Sequence, residues 1–249
     1  MKTILITGSN GAIGQGLCKS FTENGWRVIG TDLEENSKGN TSAYLSIDLN
    51  LICTDISYCD QAIKGILSEC KEGLDVLVNN AATQILAPIV ELTFQNWQKT
   101  LNINLNSVFI LIKELLPKLE EKKGNVVNIA SIHATLTKPS FSAYSTSKAA
   151  LVGLTASLAV ELGSRIRVNA ICPAAIDTPM LHEGFVDNPN GLGELKDYHP
   201  TACIGSVKDI VNSVLFLSDR NNNFLNGSML DLSGGISSSL HDPILRGES

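Results

Sequence analysis

Residues 2–14 read KTILITGSNGAIG. Lys2–Ile6 has the apolar character of a buried strand, and a helical pattern follows and ends near Asn24-Gly25. Between them lies Thr7-Gly8-Ser9-Asn10-Gly11-Ala12-Ile13-Gly14. A glycine-rich turn from strand to helix lets the backbone approach a pyrophosphate, and the helix N-terminus offers free N–H groups to it. The competing reading is a tight turn that needs glycine for its dihedrals. Glycines alone do not separate the two.

The next strand does. Arg27–Thr31 ends at Asp32, 24 residues after Gly8 and 18 after Gly14. A carboxylate at that strand tip binds both ribose hydroxyls of an adenosine and repels a 2′-phosphate. No Lys or Arg lies within the turn, and Lys38 is the nearest cation. NAD(H) is therefore favoured over NADP(H).

Strand and helix patterns then alternate. Glu34–Asn40 reads as a loop, and Ala43–Ile47 as a strand closing with Asp48-Leu49. Asp48 reads equally as a contact to an adenine amino group or as a helix N-cap. Ser57–Cys70 has helical spacing, and Leu74–Val78 is a nearly continuous apolar strand ending in Asn79-Asn80-Ala81-Ala82. A long helix is expected from about Phe94 to Glu121, although Asn102, Asn104 and Asn106 interrupt it with a poor helix former. Either they face solvent, or one of them bends the helix or holds a water. Asn125–Ala130 and Ile166–Ile171 are further strands; Val207–Leu217 is an amphipathic helix and Ser228–Leu232 a last strand. Residues 174–206 lack a clear period and read as an irregular substrate loop or lid. The tail, residues 233–249, either wraps a neighbouring subunit or frays. With no internal repeat or linker, residues 1–249 read as one α/β domain, a Rossmann-type doubly wound parallel sheet with helices on both faces.

Composition agrees. Of 249 residues, 43% are hydrophobic and 18% charged, with a net charge of −6 and few aromatics. Nothing there calls for nucleic acid or an anionic membrane surface. No signal peptide or membrane-spanning run is visible, which implies a cytoplasmic protein. Cys18, Cys53, Cys59, Cys70, Cys172 and Cys203 form no Cys-x-x-Cys pair and no zinc spacing with histidine, so reduced cysteines and no metal are expected. Cys172 is placed near a site but assigned no chemistry.

The chemistry centres on Phe141–Gly163, where Tyr144 and Lys148 stand four residues apart. On a helix they share one face. A tyrosine of pKa near ~10 must come down by roughly three units, or about 4 kcal/mol, to trade protons at neutral pH. A fixed ammonium one turn away would favour phenolate. A lone Tyr-x-x-x-Lys, however, is more often a surface pair.

Together these motifs make the chain resemble the short-chain dehydrogenase/reductase family, in its short form of about this length. The match runs from Thr3 to about Gly235. Thr7-Gly8-x-x-x-Ala12-x-Gly14 is similar to the family's cofactor turn, with Ala12 where glycine is commoner. Asn79-Asn80-Ala81-Ala82 resembles its Asn-Asn-Ala-Gly element. Ser131, 13 residues before Tyr144, resembles the active-site serine. Asn104 falls at a catalytic-site asparagine. Asn169 and Pro173-Ala174-x-Ile176-x-Thr178 resemble the element that reaches the nicotinamide.

The resemblance implies catalysis by Asn104, Ser131, Tyr144 and Lys148. It implies cofactor contacts from Gly8, Asn10, Gly11, Ala12, Ile13, Gly14, Asp32, Leu33, Asp48, Leu49, Asn80, Ala81, Ala82, Tyr144, Lys148, Pro173, Ala174, Ile176 and Thr178. Tyr144 would be the general acid in reduction and the general base in oxidation. Lys148 would lower its pKa and hold the nicotinamide ribose, Ser131 would orient the substrate oxygen, and Asn104 would hold a water of a proton relay. The Ile176 backbone would meet the nicotinamide amide, and Thr178 the amide or pyrophosphate.

Gln84, His133, Lys138, Phe141, Ala174, Met180 and Leu181 would line the substrate pocket. That mixture suits a small polar alcohol or ketone of the sugar, polyol or hydroxy acid type. His133 reads evenly as a substrate contact or a structural residue; His182, His199 and His241 read as surface residues. Short members of the family are commonly tetramers, and a homo-oligomer, dimer or tetramer, is expected. Other readings are a 3-oxoacyl-thioester reductase, a class that mostly uses NADPH, and a non-catalytic NAD(H)-binding regulator. A sugar-nucleotide epimerase or dehydratase would need a longer chain.

Overall fold

The structure is a computed structural model that describes residues 1–186, 188 and 190–240. Its strands are β1 (Thr3–Thr7), β2 (Arg27–Asp32), β3 (Ala43–Ser46), β4 (Val76–Asn79), β5 (Asn125–Ile129), β6 (Arg167–Pro173) and β7 (Met229–Leu232). They form one sheet in the order β3-β2-β1-β4-β5-β6-β7, and every pairing is parallel. β1, β4 and β5 are buried along their whole length, as central strands covered on both faces should be. The strand order reverses between β1 and β4. A ligand crevice in such a sheet opens at the carboxyl ends of those strands.

The core lies on the two faces of the sheet. On one face Leu5, Ile29, Leu77 and Val126 pack with helices α2 (Leu49–Thr54), α3 (Ile56–Glu69), α5 (Ser107–Glu120) and α6 (Ser142–Leu162). On the other, Ile4, Ile6, Val76 and Val127 pack under α1 (Ala12–Glu23) and α9 (Val207–Ser218). The expected doubly wound architecture is the observed one.

Four local expectations are corrected. The expected continuous helix over 94–121 is α4 (Phe94–Leu101), a π-helical turn over Asn102–Asn106, and then α5. The asparagines neither all face solvent nor break the helix. They widen it by one turn, because Asn104 is buried and drawn into side-chain bonds. Where no helix is expected α2 forms, without an apolar period, and Asp48 takes the N-cap role among its two readings by accepting from the N–H groups of Asn50 (2.7 Å) and Leu51 (3.3 Å). Residues 174–206 hold two short helices, α7 (Pro179–Glu183), capped by Thr178, and α8 (Gly191–Asp197). His199, expected at the surface, is 3% exposed, with Nδ1 2.7 Å from the Leu195 carbonyl oxygen. His182 is exposed and pairs with Asp177 at 2.6 Å. His241 lies outside the described residues. Among the described residues no helix is long and apolar enough to cross a membrane.

Candidate active site

The turn from β1 to α1 shows why its glycines are needed. Gly8 has φ +66°, and a Cβ there would meet the Ala81 Cα at 2.8 Å. A Cβ at Gly14 would stand 2.1 Å from the Gly8 carbonyl oxygen. These two glycines let β1, β4 and α1 converge at the switch point. Gly11 is the N-cap of α1 and supplies no side-chain cap, so the first-turn N–H groups of Ala12, Ile13 and Gly14 have no side-chain acceptor. That is the arrangement a pyrophosphate fits, and the residues present suit a dinucleotide.

Asp32, at the end of β2, lies against this turn. Its Oδ2 accepts from the Asn10 N–H at 2.9 Å and its Oδ1 from the Leu33 N–H at 2.7 Å. The Asn10 side chain is structural. It donates to the Asn36 carbonyl (2.9 Å) and accepts from the Lys38 N–H (2.8 Å), tying the turn to the loop after β2. Lys38 is held by Glu34 at 2.6 Å, and the same pairing keeps the Glu34 carboxyl below its usual range. The Asn80 amide donates to the carbonyls of Thr7 and Gly8, both at 3.0 Å, while Ala81 and Ala82 lie half-buried beside it. Asp48 and Leu49 stand at the start of α2, with the Asp48 side chain engaged as its cap.

The catalytic candidates meet at the end of β5. Ser131 is buried, and its hydroxyl accepts from the His133 N–H at 3.1 Å. α6 carries Ala143, Ser147, Thr155 and Ala159 with Leu151 along its buried face, and the four smaller side chains let the helix lie close to the sheet. The same face delivers Lys148, 2% exposed, whose ammonium donates to the Ile129 carbonyl at 2.7 Å. Burial pulls the Lys148 pKa down to about 8, opposed weakly by Cys172. Burial pushes the Tyr144 phenol up, and a hydrogen bond with Ser131 draws it part of the way back. The expected lowering of the tyrosine by Lys148 is thus not what the fold produces. The phenol is raised by desolvation and lowered only by Ser131, while the Lys148 ammonium stands 5.7 Å from the ring centroid.

Asn104, 1% exposed, accepts from the Thr83 N–H (2.8 Å) and donates to the Thr83 carbonyl and the Ser147 hydroxyl, both at 3.0 Å. Its amide donors are thus spent on protein partners, and it locks the segment after β4 to α6. Asn169 is also structural. It lies inside β6, accepting from the Ser228 N–H at 3.0 Å and donating to the Leu225 carbonyl at 3.0 Å.

Three pocket candidates form a layer around Tyr144. Phe141 stacks on His133 with centroids 4.4 Å apart, both rings meet Tyr144 edge-on, and Lys138 stands 4.7 Å over Phe141. Gln84 follows Thr83 and is half-buried. Met180 and Leu181 lie on α7, with Met180 more than half exposed. Pro173, Ala174, Ile176 and Thr178 run from the end of β6 to α7, pinned where Ile176 bridges Gly205. Cys172, with its thiol pushed up by burial, lies close enough to Ser131 and Lys148 to feel both. Among the described residues no His, Cys, Asp and Glu side chains group as a metal site.

A family model described as enoyl-(acyl carrier protein) reductase matches residues 8–237. An uncharacterised oxidoreductase of Schizosaccharomyces pombe is 34% identical over 243 residues, covering 94% of this chain and 90% of the relative. A solved 4-hydroxyisoleucine dehydrogenase complexed with NADH superposes with a TM-score of 0.85 at 30% identity, covering 96% of this chain and 100% of that one. ElxO with NADP bound gives 0.84 at 27% identity, covering 96% and 99%. The chain belongs to the short-chain dehydrogenase/reductase family, a family of nicotinamide-dependent oxidoreductases.

Proposed function

We propose that this protein is an NAD(H)-dependent oxidoreductase that interconverts an alcohol and a ketone on a small polar substrate. The observation that carries the reading is the meeting of Ser131, Tyr144 and Lys148 at one end of β5, beside the open N-terminus of α1.

The α1 N-terminus would receive the pyrophosphate, and Asp32 the adenosine ribose. Asp32 and Glu34 put two carboxylates where a 2′-phosphate would lie, and Glu34 occupies Lys38, the nearest cation. This supports NAD(H). The bound nicotinamide supplies or accepts the hydride. Ser131 holds the substrate oxygen by hydrogen bond. In reduction the Tyr144 phenol gives that oxygen its proton; in oxidation the phenolate takes it. Lys148 would hold the nicotinamide ribose, and its pKa of about 8 lets it release and regain a proton near neutrality. The Ile176 backbone would meet the nicotinamide amide, and Thr178 the amide or the pyrophosphate. Asn104 acts by fixing Thr83 and α6 around this centre.

The reading takes residues 1–249 as one cytoplasmic domain, with 174–206 as the substrate loop. It takes the molecule as a homo-oligomer paired through α5 and α6, where Phe109 and Val160 are exposed. A 3-oxoacyl-thioester reductase is the second reading, supported by the likeness to a 3-oxoacyl-[acyl-carrier-protein] reductase of Salmonella typhimurium, 31% identical over 241 residues.

Tyr144→Phe tests the assignment. Turnover on any substrate found by screening should fall by about 10²–10⁴, with NADH binding retained. Retained turnover would remove Tyr144 as the proton donor.

A further inference from the structure

The wall beside Tyr144 carries a charge that the reaction above does not use. We propose that Lys138 anchors a carboxylate of the substrate. The substrates would then be hydroxy acids and their oxo acids, with at least one carbon between the carboxylate and the reacting carbon. This rests on the alcohol–ketone reading and narrows it.

The argument begins with the stack. The Lys138 ammonium lies 4.7 Å over the Phe141 ring, Phe141 lies on His133, and both rings stand T-shaped to Tyr144. The cation is thus part of the layer that meets the phenol, set off from it by an aromatic ring. An aromatic face beneath an ammonium removes water from one side of it and leaves the other side open to an anion. Lys138 takes part in none of the ion pairs among the described residues. In the 174–206 segment, Asp177 is already paired with His182.

His133 does not share the charge. Burial first, and then Lys138, lower its pKa, which keeps the ring neutral at pH 7. Its Nδ1 is buried without a partner. A buried acceptor without a partner is tolerated more readily than a buried donor, so the ring proton belongs on Nε2. His133 is therefore a neutral plate, and Lys138 is the fixed cation of the layer.

The loop is held for the purpose. Ser140 sits at φ +71°, a left-handed conformation that costs a non-glycine residue roughly 1–2 kcal/mol. The Ala87 N–H fixes it by donating to the Ser140 carbonyl at 3.1 Å. Strain of this kind persists where surrounding contacts impose it, and here it fixes the backbone between Lys138 and Phe141. One ammonium beside a neutral ring suits a single carboxylate group, whereas a phosphate group with its several charged oxygens calls for several donors.

The test is a titration of the protein–NADH complex with succinate, followed by NADH fluorescence, in wild type and Lys138→Gln. Neutral succinamide and inorganic phosphate are the comparison probes. Succinate should bind the wild-type complex and lose at least about tenfold in affinity in Lys138→Gln. NADH affinity should stay within about twofold, and succinamide should have no effect. No response to succinate, or an equal response in both proteins, overturns the anchor and leaves the alcohol–ketone reading standing. Phosphate binding tighter than succinate overturns the choice of carboxylate. A protein that does not bind NADH overturns the functional reading and the anchor with it.

Discussion

The ammonium of Lys148 donates to the main-chain carbonyl of Ile129 at 2.7 Å, so a cation is held inside the fold against the end of β5. Its pKa is about 8 against an ordinary 10.5, and between those values the unfolded chain binds more protons than the folded one. Stability therefore rises with pH across that window. At lower pH the whole penalty is present, ~3 kcal/mol from the size of the shift. Losing the hydrogen bond to Ile129 offsets ~1.5–3 kcal/mol of any gain. Lys148→Met should then be at least as stable as wild type at pH 7, with its relative stability falling toward pH 10, although turnover is lost. Denaturant melts at pH 7 and pH 10 check this. A variant clearly less stable at pH 7 would mean that the buried cation contributes to folding.

The alkaline side of the activity profile follows from Tyr144. Burial raises its pKa, and a general base acts unprotonated, so the requirement moves to higher pH. For oxidation, kcat/KM should climb from neutral into the alkaline range by about one log unit per pH unit until the phenol titrates. Ketone reduction, which uses the protonated phenol, should not share that climb. A plateau in oxidation from pH 6 upward would show that another group takes the proton.

Much of this was legible in the sequence. Apolar runs placed the strands, and the spacing of Gly8, Gly14, Asp32, Ser131, Tyr144 and Lys148 placed the crevice. What escaped depends on tertiary burial. α2 has no apolar period and exists because Asp48 caps it and the Tyr58 hydroxyl accepts from the Asp48 N–H at 2.8 Å. The π-helical turn arises because Asn104 pairs with Thr83 and Ser147, residues distant in sequence. His199 lies in a stretch without period, and its burial comes from packing against the Gly234 turn, where the Thr201 N–H donates to the Gly234 carbonyl at 3.3 Å. The direction of the Tyr144 pKa needs the depth of the site as well as the neighbouring lysine.

The glycines of the turn divide into two kinds. A Cβ at Gly14 would meet Gly8 and Ser9 backbone atoms within 3 Å, whereas at Gly11 the nearest atom is 3.5 Å away. Gly14→Ala should lose at least about 1–3 kcal/mol, a fall of roughly 2–12 °C in Tm. Gly11→Ala should melt within about 2 °C of wild type and lose NADH affinity, because its methyl crowds the cofactor's approach. Thermal melts and NADH titration of both variants check the contrast. Equal Tm values would remove the claim that Gly14 sets the helix–strand approach.

The central claim is a dinucleotide site whose carboxylates choose NAD(H). Its most direct test is a pair of titrations of the purified protein with NADH and NADPH, followed by nicotinamide fluorescence, repeated on Asp32→Ala. The account predicts tighter binding of NADH by at least about tenfold, and a gap that narrows in Asp32→Ala. Equal or tighter binding of NADPH to the wild-type protein would contradict it.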